Sequence, residues 1–131
     1  TVYTIFPYVT AVVMATELFS ASGLADKTAE FISPVLGAIG VPTEIAPLVL
    51  VKPFSGSGSL SVLSGILSEY GADSYIGRCA AAVFGSSETV FYLSAVYYSR
   101  SKTKKTTKAI IISLSSSLTA TVVACLICRV I

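Results

Sequence analysis

Residues 74–98 read SYIGRCAAAVFGSSETVFYLSAVYY, and this stretch decides what kind of fold the chain can adopt. It is apolar over a length that suits a membrane crossing, for which about 20 residues are needed. Yet Gly85, Ser86, Ser87, Glu88 and Thr89 interrupt it near its centre. A run of small polar residues ends one helix and starts another, leaving backbone groups that only protein or a water-lined cavity satisfies. Glu88 stands about 14 residues from one end of the segment and ten from the other. An ionisable group at that depth is costly in lipid and marks a functional position by default. Its carboxylate can accept hydrogen bonds from a solute, or bind and release a proton or cation. The competing role is structural, a cap on the second half-helix, where an acid suits the positive end of the dipole.

A second interruption of the same kind lies upstream. Phe54 precedes Ser55-Gly56-Ser57-Gly58-Ser59, and an apolar stretch follows from Leu60 to Tyr70, closed by Gly71. Phe84 precedes the other run in the same way, and Val90 follows it. Paired interruptions of hydrophobic segments are the best sequence pointer to a transporter's binding site. The candidate solute ligands at the two breaks are therefore Ser55, Ser57, Ser59, Ser86, Ser87, Glu88 and Thr89.

Further toward the N-terminus, residues 2–23 form one apolar run, interrupted by Pro7 and Glu17, with Gly23 placed as a helix C-cap. Residues 25–39 reach only about 22 Å as a helix, too short to cross. A turn at residues 40–44 and a second apolar piece, 45–52, follow. These two half-length pieces predict a re-entrant hairpin, whose tip would bring Thr43 and Glu44 to the midplane beside the breaks. Otherwise Glu44 is a solvated loop acid. Glu17 reads as a snorkelling acid or a partner of Lys27. Lys52 either partners an acid or marks the hairpin's cytoplasmic foot.

On the other side, Arg100, Lys102, Lys104, Lys105 and Lys108 crowd a short loop, which predicts that residues 99–108 are cytoplasmic. A hairpin over 26–53 adds Lys27 and Lys52 to that side, leaving Arg78 and Arg129 opposite. In the last apolar run, Ala109 to Ile131, a stripe of Ser113, Ser117, Ala120 and Ala124 suits close helix packing and an oligomer.

Composition agrees. Of 131 residues 53% are hydrophobic and 12% charged, with a mean hydropathy of +0.81. A soluble domain carries about a quarter charged residues, so the expected solvent is membrane lipid, with no nucleic-acid partner. Ser and Thr supply 31 residues, and such hydroxyls are cheap in lipid because they bond their own helix carbonyls. The length predicts one domain, 1–131, of about three to five passes or hairpins. With no His, and with Cys79, Cys125 and Cys128 not paired as a zinc site needs, no metal or cofactor is expected. The C-x-x-C of Cys125 and Cys128 reads as two packed or lipid-facing small residues rather than a redox pair. Ser59 or Ser87 as a nucleophile would lack a base, so no enzyme is expected.

The phrases KPFSGSGSL (52–60), EYGADSYIGR (69–78) and GSSETVFYLSAVYYS (85–99) resemble the nucleoside-recognition or gate-domain family, within its spore-maturation branch. The resemblance extends to the hairpin-tip phrase of concentrative nucleoside transporters through Thr43, Glu44, Ala46, Pro47, Leu48, Lys52 and Pro53. Here Ile45 is an insertion that turns the following helix by about 100°. What the resemblance implies is an all-α integral membrane protein in a gate-domain fold, a small bundle with a re-entrant hairpin and broken helices. It further implies an upstream N-terminal helix before Thr1, a bacterial cell-membrane location, and a role in spore maturation and core dehydration beside a spore maturation protein A-like subunit. Two functions are then expected to compete: one half of a transporter or channel for a small polar solute, and a non-transporting scaffold of sporulation.

Overall fold

The computed structural model describes residues 2–98 and 106–130, and among them the chain is helical with no strand. Seven α-helices follow in order: α1 (Val2–Ala21), α2 (Leu24–Ala38), α3 (Ala46–Val51), α4 (Gly56–Tyr70), α5 (Tyr75–Ser86), α6 (Val90–Tyr98) and α7 (Thr106–Val130). A 3-10 turn, Thr43–Ile45, precedes α3. Arg100, Lys102, Lys104 and Lys105 lie outside the described residues.

Among the described residues two segments are long and apolar enough to cross a membrane: Tyr75–Tyr98, which is α5, the break and α6, and Thr106–Val130, which is α7. They run antiparallel. Tyr75 and Arg129 border one groove at one end, Cys79 lies beside Cys125 and Cys128, and Ser86 to Glu88 face Ser113 to Ala120 half-way along. Thr106 and Ile110 border Ser94, Ala95 and Tyr98 at the other end. The break thus sits near mid-depth in the crossing, level with the middle of α7.

The core occupies the Tyr75/Arg129 half. Leu36 of α2, Val41 of the turn, Ile45, Leu48 of α3, Leu63 and Ile66 of α4, Cys79 and Val83 of α5 and Cys125 of α7 form one buried cluster. α1 lies instead against α6. Many hydroxyls in the helices donate to their own backbone, as Thr121 Oγ1 does to Ser117 O (2.9 Å) and Thr119 Oγ1 to Ser115 O (2.8 Å).

Local chemistry explains the boundaries. Gly23 ends α1 in a left-handed conformation (φ 69°), and Gly71 ends α4 at φ 83°. Ser55 and Ser74 cap α4 and α5, their Oγ atoms accepting from Gly58 N and Gly77 N at 3.0 Å each. Gly77 is there for space, because an added Cβ would collide with the backbone carbonyl oxygen of Gly71 and meet that of Ala72 at 3.1 Å. Gly77→Ala should therefore cost about 1–3 kcal/mol by overpacking the α4–α5 junction. A thermal melt in detergent will show the loss, and a melt equal to wild type would refute the close approach.

The hairpin expected over residues 26–53 is arranged differently. α2 and α3 do pack together around the turn at residues 40–44, but that turn lies at the Tyr75/Arg129 end, with Glu44 bordering Tyr75, Ile76 and Arg129. The foot of α3 is what reaches the break, and the inward turn is Lys52–Ser55, between α3 and α4. The reason is the bend at Gly23. α1 ends beside Phe54, with Phe19 and Phe54 ring centroids 5.2 Å apart, so α2 starts at mid-depth and carries the chain outward.

Candidate functional site

The two interruptions meet. The N–H of Phe91, one residue into α6, donates to the carbonyl of Pro53 in the α3–α4 turn at 3.1 Å. The Phe54 and Phe91 rings stack beside this bond, centroids 4.7 Å apart. A Cβ at Gly56 would lie 3.4 Å from Thr89 Oγ1, an ordinary contact that shows the start of α4 lying against the second break. At each break the sequence frees backbone groups at a helix end, and here one break satisfies the other.

Two grooves flank this junction. One, of about 310 Å³, is lined by Phe54, Ser55, Gly56, Ser57 and Thr89 of the breaks with Tyr92 of α6 and Val13 and Glu17 of α1. The other, of about 340 Å³, lies between the second break and α7 and is lined by Ser86, Ser87, Glu88, Ser113, Ser116 and Ser117, among others. Among the described residues each groove is lined by one carboxylate, several hydroxyls and no basic side chain. Ser59 is fully buried and donates to Gly56 O (2.8 Å), serving the first turn of α4 rather than either groove. Ser87 is buried as well, its Oγ donating to Val83 O (3.0 Å) at the end of α5.

Lys52 is the residue that sequence reasoning left undecided. It is only 8% exposed, its Nζ lies 3.7 Å from the centroid of the Phe84 ring, and the charge of Glu88 acts on it. It is no hairpin foot but a buried cation at the junction, held by an aromatic face on the α5 side of the break. Its position directly before Pro53, at the end of an apolar run, was the available signal. Glu17, read as a peripheral acid, also faces the junction. Thr43 and Glu44 do not. They border a groove with Arg129 at the far end of α5 and α7. No group of His, Cys, Asp and Glu that could hold a metal ion occurs among the described residues.

Residues 2–104 match the Gate family, described as nucleoside recognition. The chain belongs to this family. A relative, spore maturation protein B of Bacillus subtilis (strain 168), is 34% identical over 125 residues, covering 95% of this chain and 70% of its own length. No solved structure matches the chain. Membership in the Gate family joins the two apolar crossings in marking a transporter-like membrane protein.

Proposed function

We propose that this Gate-family protein forms one half of a solute transporter or channel of the bacterial cell membrane, with its polar site at mid-depth where the two helix breaks meet. The observation that carries the reading is the Phe91 N–H to Pro53 C=O bond, which ties one interrupted segment to the other beside two hydroxyl-rich grooves. In this reading the α3–α4 turn is the re-entrant element, entering from the Tyr75/Arg129 side and stopping at Lys52–Ser55. A solute in the grooves meets Ser55, Ser57, Ser86, Thr89 and the carboxylates of Glu17 and Glu88, while Lys52 balances the charge from within. The similarity to spore maturation protein B supports a role in spore maturation, in company with a second, spore maturation protein A-like subunit. Solute flux in liposomes that contain both subunits tests the reading, and flux indifferent to changes at the breaks would favour a non-transporting scaffold instead.

The basic loop at 99–108 sets the orientation, because clustered Lys and Arg in a short loop resist translocation. Thr103→Cys should stay unlabelled by a membrane-impermeant maleimide added outside intact cells, and should react once the membrane is opened. Prompt labelling from outside would invert the whole topology.

A further inference from the structure

We infer that Cys79 of α5 and Cys128 of α7 are a redox site, a pair of thiols that closes to a disulfide and staples the two crossings together near their Tyr75/Arg129 end. Three thiols meet there. Cys79 and Cys125 are fully buried in the core cluster, and Cys128 and Tyr75 pack against it. The Cys79 thiol is the hub, within hydrogen-bonding reach of the Cys125 thiol, the Cys128 thiol and the Tyr75 hydroxyl. It comes from the second turn of α5, whereas the other two come from the end of α7, so residues far apart in the chain place their sulfurs side by side. α5 and α7 pack along one another more extensively than any other pair of described helices, so the meeting is fixed by two helices and not by a loop.

Geometry and exposure choose the pair. The C-x-x-C cysteines are poorly placed to bond each other, because residues three apart on a helix have Cβ atoms about 5–6 Å apart, whereas a disulfide needs about 3.5–4.5 Å. α7 runs unbroken past both to Val130. Cys125 has no exposed surface for an oxidant to reach, but Cys128 is half-buried and sits in the last turn of α7 beside Arg129. Oxidation therefore starts at Cys128. Its thiolate attacks a small disulfide such as oxidised glutathione, forming a mixed disulfide and releasing one thiol. The Cys79 thiolate then attacks the Cys128 sulfur and expels the second thiol, so the protein gives up two protons and two electrons to the carrier. The site lies about one turn inside the face opposite residues 99–108, which the orientation proposed above puts outside, where disulfides persist. The compartment rests on that orientation, and the bond itself does not. Once closed, the bond fastens α7 to α5 on one side of the Glu88 groove, and any widening of that groove works against it.

The test inserts a sequence-specific protease site after Thr103, so that cleavage separates Cys79 from Cys125 and Cys128 unless a bond joins them. Cells carrying the full chain are treated from outside with oxidised glutathione and quenched with N-ethylmaleimide, and their membranes are then solubilised and cut. The expected result is one full-length band without reductant and two pieces after dithiothreitol. Cys79→Ser and Cys128→Ser should each reduce the joined form at least tenfold, while Cys125→Ser should keep it, with melts taken in reductant to show that the variants fold. On the uncut, denatured wild type, oxidation should leave a single thiol free for a maleimide tag, and that one at Cys125. Pieces that separate in the wild type, a joined form that survives in Cys128→Ser, or a tag at Cys79 or Cys128 each overturn the inference. If joining needs the membrane to be opened first, the bond stands and the proposed orientation falls.

Discussion

Glu88→Gln is expected to lower solute flux about ten- to a hundredfold in liposomes containing both subunits, while leaving the thermal melt close to wild type. The size follows from the interaction removed: a hydrogen bond to a charged group contributes about 1.5–3 kcal/mol, and each 1.4 kcal/mol is roughly a factor of ten. The amide keeps the volume of the carboxylate and one acceptor oxygen while losing the charge and the other acceptor, so the end of α5 and the start of α6 have no reason to shift. Coupling to a proton or cation should vanish outright, because Gln neither titrates nor carries charge. Glu88→Leu should damage flux and stability together if the carboxylate also holds the half-helix it precedes. The double variant Ser57→Val, Ser87→Val adds a second arm, taking one hydroxyl from each break. Ser57 lines the Glu17 groove and Ser87 the Glu88 groove, so their loss tests whether the two sides serve one path. Flux unchanged in Glu88→Gln and in the double variant would remove the mid-depth site and leave a scaffold.

How much of this was legible in the sequence differs from element to element, for physical reasons. The ends at the breaks were legible because Ser55 can cap a helix and the Ser-Ser-Glu-Thr run cannot cheaply continue an apolar one, yet the Ser-Gly run itself turned out to be the first turn of α4, from Gly56 on, and not a gap. Gly23 and Gly71 were legible as helix ends because their left-handed backbone suits glycine. The path of the hairpin was not legible. In a membrane helix both faces are apolar, so periodicity does not reveal which neighbour α2 or α3 meets, and charge counting is left to decide direction. Charge counting misled here because it treats every lysine as seeking water. Lys52 instead sits over Phe84, a contact between α5 and the end of α3 that no local pattern announces. Glu44 was drawn toward the breaks by the same error, and once α3 is seen to run from the far end inward, Glu44 falls beside Arg129.

Reversing the charge of Lys52 is expected to be the most destructive single change in the chain, and pairing it with a reversal of Glu88 should undo much of the damage. Lys52→Glu removes a cation from an aromatic face, an interaction of about 2 kcal/mol when desolvated. It also places a carboxylate at a buried position within the field of the exposed Glu88 carboxylate, so that an attraction becomes a repulsion. Together these should cost about 2–4 kcal/mol, enough to depress the yield of folded protein in detergent as well as its melting temperature. Lys52→Met separates the causes, since it keeps the volume over Phe84 and removes only the charge, and should be milder than Lys52→Glu. In Lys52→Glu with Glu88→Lys the repulsion becomes attraction again while the contact with Phe84 stays lost, so stability should return in part. A double-mutant cycle on the melts gives the coupling directly. A coupling near zero would mean that Lys52 and Glu88 act independently, and the internal charge balance assigned to the junction would have to be abandoned.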